Sequence, residues 1–437
     1  MTNYLITGAT ILGEKSADIA ISSGVFVPVS DLPAGGKTVT VDANGLVALP
    51  GLVDLHTHLR QPGAEQSETI ASGSQAAALG GFTAVHAMAN TDPVADSPSV
   101  TNLVHQLGER AGYVDVRPVG AISSGLLGEK LSAMAAMAQG LGQVRVFSDD
   151  GKCVADSLLM RRALEYSVTL GAVIAQHAQD PRLTPDAQMN EGSLAERLGL
   201  EGWPAVAEES IIARDVLLAE DTGARLHVCH LSTAGSIDVI RWAKNRGIQV
   251  TAEVTPHHLL LTEDLVASYD SVYKVNPPLR RSEDTLALRA AVAEGVIDIV
   301  ATDHAPHPAE AKECAFAEAA FGMLGLETAL PVVLETLVHP GHISLADVAR
   351  ILSITPARIG SLAGYETPFA LGAPAHLTLV DVHQPALSPQ ASLSNNNPYR
   401  DRVLPGRVMN TFYKGVATVF DGQLVTQLDR PMRKGKA

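Results

Sequence analysis

GLVDLHTHLRQPG (51–63) is the stretch on which the fold of this chain turns. Its first half, LVDLHTH (52–58), is a short apolar run of strand length that closes on two histidines one residue apart. Alternation along a strand puts positions i and i+2 on one face, so His56 and His58 can present both imidazoles to the same side. A run that is nearly all apolar fits a parallel sheet covered by helices on both faces. After it come His-Thr-His rather than glycines, unlike the phosphate-binding first strand of an open, doubly wound sheet.

Outward from this run the same rhythm repeats. FTAVHAM (82–88), VDVRPVGAI (114–122), QVRVFS (143–148), AVIAQH (172–177), ARLHVCH (224–230), IQVTAEV (248–254) and IDIVATD (297–303) read as further strands, separated by longer Ala-rich helical stretches. Eight strand–helix units over roughly 250 residues predict an α/β fold of the (β/α)8 TIM-barrel type. We place it over residues 51–365. The two ends differ from this middle. YLITGATIL, DIAISSGVFVPV and TVTVD near the start, and HLTLVDV, RVMNTFYKGVATVF and GQLV near the end, are β-type runs broken by Gly, Pro and Asn. Residues 1–50 and 366–437 are therefore expected to build one small β-sandwich domain, since chain ends often lie close together.

At 437 residues the chain has room for such a barrel and a small companion. Hydrophobic residues at 46% and charged residues at 18% argue for a folded globular protein, and aromatics at 4% leave the core to Ala, Val, Leu and Ile. A formal charge of −15 disfavours binding to nucleic acid or to an anionic membrane. The three cysteines, Cys153, Cys229 and Cys314, are too few and too scattered for a disulfide framework, which points to a reducing compartment. The N-terminal run lacks signal-peptide character and no apolar stretch reaches membrane-spanning length, so a cytoplasmic location is expected.

In a barrel the C-terminal strand ends share one rim, where the chemistry of this fold is built. His177 ends the fifth run, His230 the sixth and Asp303 the eighth, while Asp149-Asp150-Gly151 follows the fourth. Four imidazoles and two carboxylates in one mouth suit a pair of divalent ions, with zinc favoured by nitrogen ligands. A structural zinc would take four closed ligands, usually thiolates; this grouping has more ligands and no cysteine, as a catalytic centre would. His86 and His227 lie inside strands and read as core residues, His227 on the face opposite His230. His257 and His258 follow the seventh strand without an assigned role, and His304 points away from Asp303 by alternation. Cys153 and Cys229 read as packing residues.

These residues resemble the amidohydrolase superfamily and, within it, the bacterial class I dihydroorotases. The similarity runs through GLVDLHTHLRQPG (51–63), GGFTAVHAMANT (80–91), FSDDG (147–151), HVCHLST (227–233), VTAEVTPHHLLLTEDL (250–265), VNPPLR (275–280) and IVATDHAPH (299–307). The resemblance implies two zinc ions per chain. His56, His58 and Asp303 would hold one, His177 and His230 the other, and Asp150 would bridge them where hydantoinases and allantoinases use a carboxylated lysine. Lys152 is the only lysine close by. The implied activity is reversible hydrolysis of the cyclic amide of L-dihydroorotate to N-carbamoyl-L-aspartate by a zinc-bound hydroxide, in pyrimidine biosynthesis. Asp303 would be the acid/base. His58, Arg60, Asn90, Asn276 and His307 would contact substrate, together with backbone at Phe321 and Gly322. Residues 306–321 would be a lid that excludes water. A homodimer is implied, and association with aspartate transcarbamoylase is compatible with it. Gln61, Ala89, Gln179 and Ala320 depart from the usual family residues. The competing readings are a hydantoinase- or allantoinase-type amidase and a non-catalytic scaffold for aspartate transcarbamoylase; the scaffold class typically lacks several of the ligand positions, all of which are filled here.

Overall fold

The computed structural model describes residues 2–33, 37–386 and 390–426. Position 1, the 387–389 stretch and the C-terminal 427–437 part of the expected small domain lie outside the described residues.

The central body is a closed ring of parallel strands. Leu52–Thr57, Phe82–Ala87 and Asp115–Pro118 form a three-stranded sheet, and Val146–Phe147, Val173–Gln176, Leu226–Val228, Val250–Val254 and Ile299–Val300 a five-stranded one. Parallel bridges at both seams, Gly120 with Phe147 and Thr57 with His304, close the two into a barrel. Helices return the chain between strands, among them Ile70–Leu79, Pro98–Ala111, Ser157–Leu170, Val206–Thr222, Ala234–Asn245 and Ser282–Ala293. Their ends carry local signals. Thr69 caps the first through its hydroxyl, which accepts from the Ser72 amide, and Asp156 caps the Ser157–Leu170 helix by accepting from Leu159. That helix stops at Gly171, whose φ of 61° suits a residue without a Cβ.

All eight predicted runs contain a barrel strand, but several strands are shorter than their runs. VDVRPVGAI pairs as a strand only over Asp115–Pro118, QVRVFS over Val146–Phe147 and IDIVATD over Ile299–Val300. Apolar character continues past the paired segment because the chain stays buried after it turns; His230 (φ 33°) and Asp303 (φ 46°) are already left-handed. Inward-facing side chains from around the ring, including Leu55, Val146, Val173, Ala175, Ile299 and Ala301, pack as one cluster inside the barrel. A much larger cluster fills the layer between strands and helices, so the fold has its expected two-sided burial.

Both chain ends contribute to one nine-stranded sheet, ordered Gln423–Leu424, Val416–Phe420, Pro405–Tyr413, Leu377–Pro385, Val47–Pro50, Asn3–Ile11, Lys15–Ser22 and Val25–Val27, with Thr38–Asp42 pairing onto Asn3–Ile11. Val47–Pro50 was not anticipated as a strand. It joins the two termini, running antiparallel to Leu377–Pro385 and parallel to Asn3–Ile11. Tyr4, Ile6, Ile21, Leu377, Leu379 and Phe412 are part of this sheet's own core.

Candidate metal centre and substrate cavity

Each sequence-predicted ligand lies at or just beyond the C-terminal end of a barrel strand, and the structure brings all six together. Asp150 is at the middle. One of its carboxylate oxygens, Oδ2, is 3.2 Å from His56 Nε2 and 3.2 Å from His58 Nε2. The other, Oδ1, is 3.3 Å from His177 Nδ1 and 3.2 Å from His230 Nε2. Asp303 Oδ1 lies 3.1 Å from His58 Nε2 and 3.4 Å from His56 Nε2. The atoms divide into two overlapping groups able to hold a metal ion: His56, His58, Asp150 and Asp303, and Asp150, His177 and His230. Asp149 turns away, its carboxylate accepting from the amides of Ile122 (2.7 Å) and Ser123 (2.9 Å), and Lys152 is exposed.

The donor set suits a divalent ion. His56 Nε2 is buried without a hydrogen-bond partner, although it is aimed between two carboxylates. His177 Nδ1 and His230 Nε2 face each other at 2.9 Å, both directed at the same carboxylate oxygen. Burial alone would raise the carboxyl of Asp150, but His56 and the hydrogen bonds from the rim histidines hold it well below its ordinary range. Burial likewise opposes ionisation of Asp303, yet His56 and His58 pull it down to about 2. Anionic oxygens surrounded by imidazole nitrogens are what a cation of intermediate softness requires.

Behind the histidines stands a residue the sequence reading passed over. Glu253 Oε1 is 2.7 Å from His56 Nδ1 and accepts from the His230 amide at 3.2 Å, while its Oε2 is 2.9 Å from His227 Nε2. A carboxylate on the far nitrogen fixes both ring orientation and tautomer of a ligating histidine. The signal was present: an acidic residue inside the apolar run IQVTAEV. His227 is confirmed as a buried, hydrogen-bonded core residue, but it faces inward like His230. Its opposite parity fails because the strand ends at Val228 and the left-handed His230 swings back into the barrel. Cys229 also departs from a cysteine-free centre, since it groups with His56 and Glu253; burial pushes its thiol up, which keeps it protonated. Asp54 was also missed. It accepts from the amides of His56 (3.0 Å) and Thr302 (3.1 Å), stitching the first and eighth strands beneath the site.

A cavity of about 210 Å³ opens over this cluster, lined by His58, Arg60, Asn90, Asp150, Gly151, His177, Asn276, Asp303, Ala305, His307, Phe321 and Gly322. Every sequence-predicted substrate contact is on its wall. Larger cavities of about 300 and 480 Å³ lie elsewhere, the former beside Val173, Leu226 and Val250 at the opposite, N-terminal ends of the strands. The Arg60 guanidinium bonds the Pro306 carbonyl (3.1 Å) and meets the His307 ring (3.3 Å), neither of them an anion. Burial lowers it only to about 10, so it stays charged. The His307 ring donates to the Phe321 carbonyl at 2.7 Å, and burial together with Arg60 lowers it to about 3, leaving it neutral. Asn90 Oδ1 accepts from His58 Nδ1 at 2.8 Å, and Gln179 Oε1 meets His177 (2.8 Å) and Asn276 (3.2 Å). His258 donates to the Pro278 carbonyl at 3.3 Å, and His304 sits against Glu68, away from the cavity.

Residues 45–236 match the family described as Dihydro-orotase-like. A protein of Leifsonia xyli named dihydroorotase is 62% identical over 429 residues, covering 97% of each chain. The dihydroorotases of Streptomyces coelicolor and Mycobacterium tuberculosis are 58% and 53% identical, covering 97% of this chain and 100% and 99% of theirs. Among solved structures, an L-hydantoinase from Arthrobacter aurescens superposes with a TM-score of 0.84 at 22% identity over 98% of both chains. A D-hydantoinase from Thermus sp. gives 0.79 at 24% over 97% of both. Likeness at these identities is one of fold. Among the described residues no helix is long and apolar enough to cross a membrane. Near-full-length identity of this order establishes that the chain belongs to the dihydroorotase family.

Proposed function

We propose that this chain catalyses the reversible hydrolysis of L-dihydroorotate to N-carbamoyl-L-aspartate, with two zinc ions at the rim. The observation that carries the proposal is the placement of Asp150, whose two oxygens face two different histidine pairs. His56, His58 and Asp303 would hold one ion, His177 and His230 the other, and Asp150 would bridge. Bound zinc supplies a nucleophile at neutral pH, by lowering the pKa of water to about 7, and polarises the carbonyl under attack.

The chain's own groups do the rest. Asp303, at the cavity wall and beside His58, is placed to take a proton from the attacking water and return it to the departing amide nitrogen. Arg60 would pair with the substrate carboxylate, for which its partly unpaired guanidinium is poised. Asn90, Asn276 and His307 would supply further hydrogen bonds to the substrate, with backbone groups at Phe321 and Gly322 on the ring. A homodimer, a cytoplasmic location and association with aspartate transcarbamoylase extend the proposal on family resemblance.

The deciding experiment assays purified protein on dihydroorotate beside hydantoin, dihydrouracil and allantoin, with metal analysis of the same sample. Turnover of dihydroorotate and about two zinc ions per chain are expected. Preference for another ring would place the chain with the other cyclic amidases, and a metal-free, inactive protein would make it a scaffold.

A further inference from the structure

Two lysines near the cavity are buried without a carboxylate among their hydrogen-bond acceptors. Lys274 is 1% exposed and Lys312 5%. An ammonium in such a place is costly unless its protons are taken up. Lys274 Nζ donates to the carbonyls of Phe316 (2.7 Å) and Ala317 (3.0 Å) and lies 4.5 Å from the centre of the Phe321 ring. Lys312 Nζ donates to the carbonyls of Ala320 (2.8 Å) and Lys274 (3.1 Å). The Lys274 carbonyl also accepts from the Gly322 amide at 3.0 Å, and the Ser271 hydroxyl donates to the Lys312 carbonyl.

Each lysine thus grips backbone near the other. Between Ala309 and Gly322 the only helix is Ala309–Lys312, so much of this segment's backbone has no ladder of its own. It leads into Phe321 and Gly322, which line the cavity, and the Phe321 carbonyl accepts from His307, which in turn meets Arg60.

We propose that Lys274 and Lys312 are positioning residues that clasp the 309–322 segment to the barrel rim and thereby set the Phe321–Gly322 wall of the substrate cavity. The proposal deepens the functional reading above and rests on it for the identity of the substrate. Neither ammonium touches the reacting atoms; both act through the wall and through His307.

The clasp has a pH signature. Burial and the adjacent Lys274 bring Lys312 down to about 7. The other ionisable groups that face it are Asp270, already paired with Arg400, and Cys314. The clasped form therefore binds fewer protons than a released one with an ordinary lysine pKa of about 10.4, and clasping strengthens as pH rises between about 7 and that value.

Lys312→Met tests this. In the metal-loaded enzyme KM for dihydroorotate should rise about tenfold or more while kcat stays within about threefold, a loss confined to binding. Hydrogen exchange of the 309–322 amides, corrected for intrinsic rates, should speed up and lose its pH dependence, with the barrel strands unchanged. In a Phe321→Ala background the same substitution should add less than about twofold, because both changes act on one wall. Unaltered exchange in 309–322, or additive effects with Phe321→Ala, would overturn the clasp. Should Lys312→Met not fold, Ser271→Ala removes the hydroxyl on the Lys312 carbonyl; faster 309–322 exchange in that variant supports the clasp and unchanged exchange refutes it. Wild-type enzyme inert toward dihydroorotate would sink the functional reading alone, leaving the exchange measurements to judge the lysines.

Discussion

The tasks proposed for Asp303, Glu253 and Arg60 can each be isolated by one substitution. Asp303 sits on the cavity wall with its carboxyl held down to about 2, so in the proposed reaction it would enter as a base. Asp303→Asn keeps size and loses basicity. Turnover should fall by about 10²–10⁴-fold or more while circular dichroism and most bound metal persist; near-normal turnover would remove Asp303 from the proton path. Glu253 is not among the cavity-lining residues and acts through the His56 and His227 rings and the His230 amide. Glu253→Gln should weaken metal affinity by about 10–100-fold, read by competition with a chelator and separable from turnover at saturating metal. Arg60→Ala deletes a half-buried cation poised for an anion. A charged hydrogen bond is worth about 1.5–3 kcal/mol, so kcat/KM for dihydroorotate should drop about 10–150-fold; an unchanged value would reduce Arg60 to a rim contact.

The staves and loops of the barrel determine where those residues point. Odd positions 173, 175 and 177 of the fifth strand line the interior, and alternation alone delivers His177. His230 and Asp303 reach the same cluster by left-handed backbone after pairing has stopped. Alternation therefore located the rim correctly and failed on parity at His227, because the end of a strand cannot be read from apolar residues that stay buried beyond it. On the cavity wall the loop is closely packed at Gly322, where a Cβ would come within 2.8 Å of the Ala305 side chain and carbonyl and 3.0 Å of the His307 ring, at φ 143°. Gly322→Ala should displace His307 and the cavity wall, raising KM for dihydroorotate several-fold with metal content unchanged. Equal KM in variant and wild type would show that the wall tolerates the shift.

For the molecule as a whole, the terminal sheet is fastened to the barrel by polar contacts that complete one helix end. The hydroxyls of Thr411 and Thr378 donate to the carbonyls of Ala78 (2.8 Å) and Gly81 (2.7 Å), at and just past the end of the Ile70–Leu79 helix. The nearby 390–396 segment reaches the barrel through buried Glu68, which accepts from the Ser392 hydroxyl, and through Glu327, which accepts from the Ala391 amide at 3.0 Å. Burial, reinforced by Glu68, raises Glu327 to about 8. The native state then keeps a proton that the unfolded chain has lost, so this group's contribution is present below about pH 4.3 and declines as pH rises to about 8. Glu327→Gln imitates the protonated form. Its Tm should match wild type near pH 5 and exceed it near pH 9; parallel curves at both would show that Glu327 ionises freely.

By itself the sequence determined the barrel and five of the six clustered candidate ligands, because period, strand length and ligand chemistry are local properties. His56, His58, His177, His230 and Asp303 each stand at the end of an apolar run, and that much can be counted along the chain. Only tertiary structure decided between Asp149 and Asp150 as the carboxylate in the cluster, since adjacent residues differ only in what surrounds them: backbone amides for one, four imidazoles for the other. The role of Glu253 and the reciprocal grip of Lys274 and Lys312 were equally hidden. Their partners lie tens to hundreds of residues away, and a buried charge acquires meaning only from the groups that fold around it.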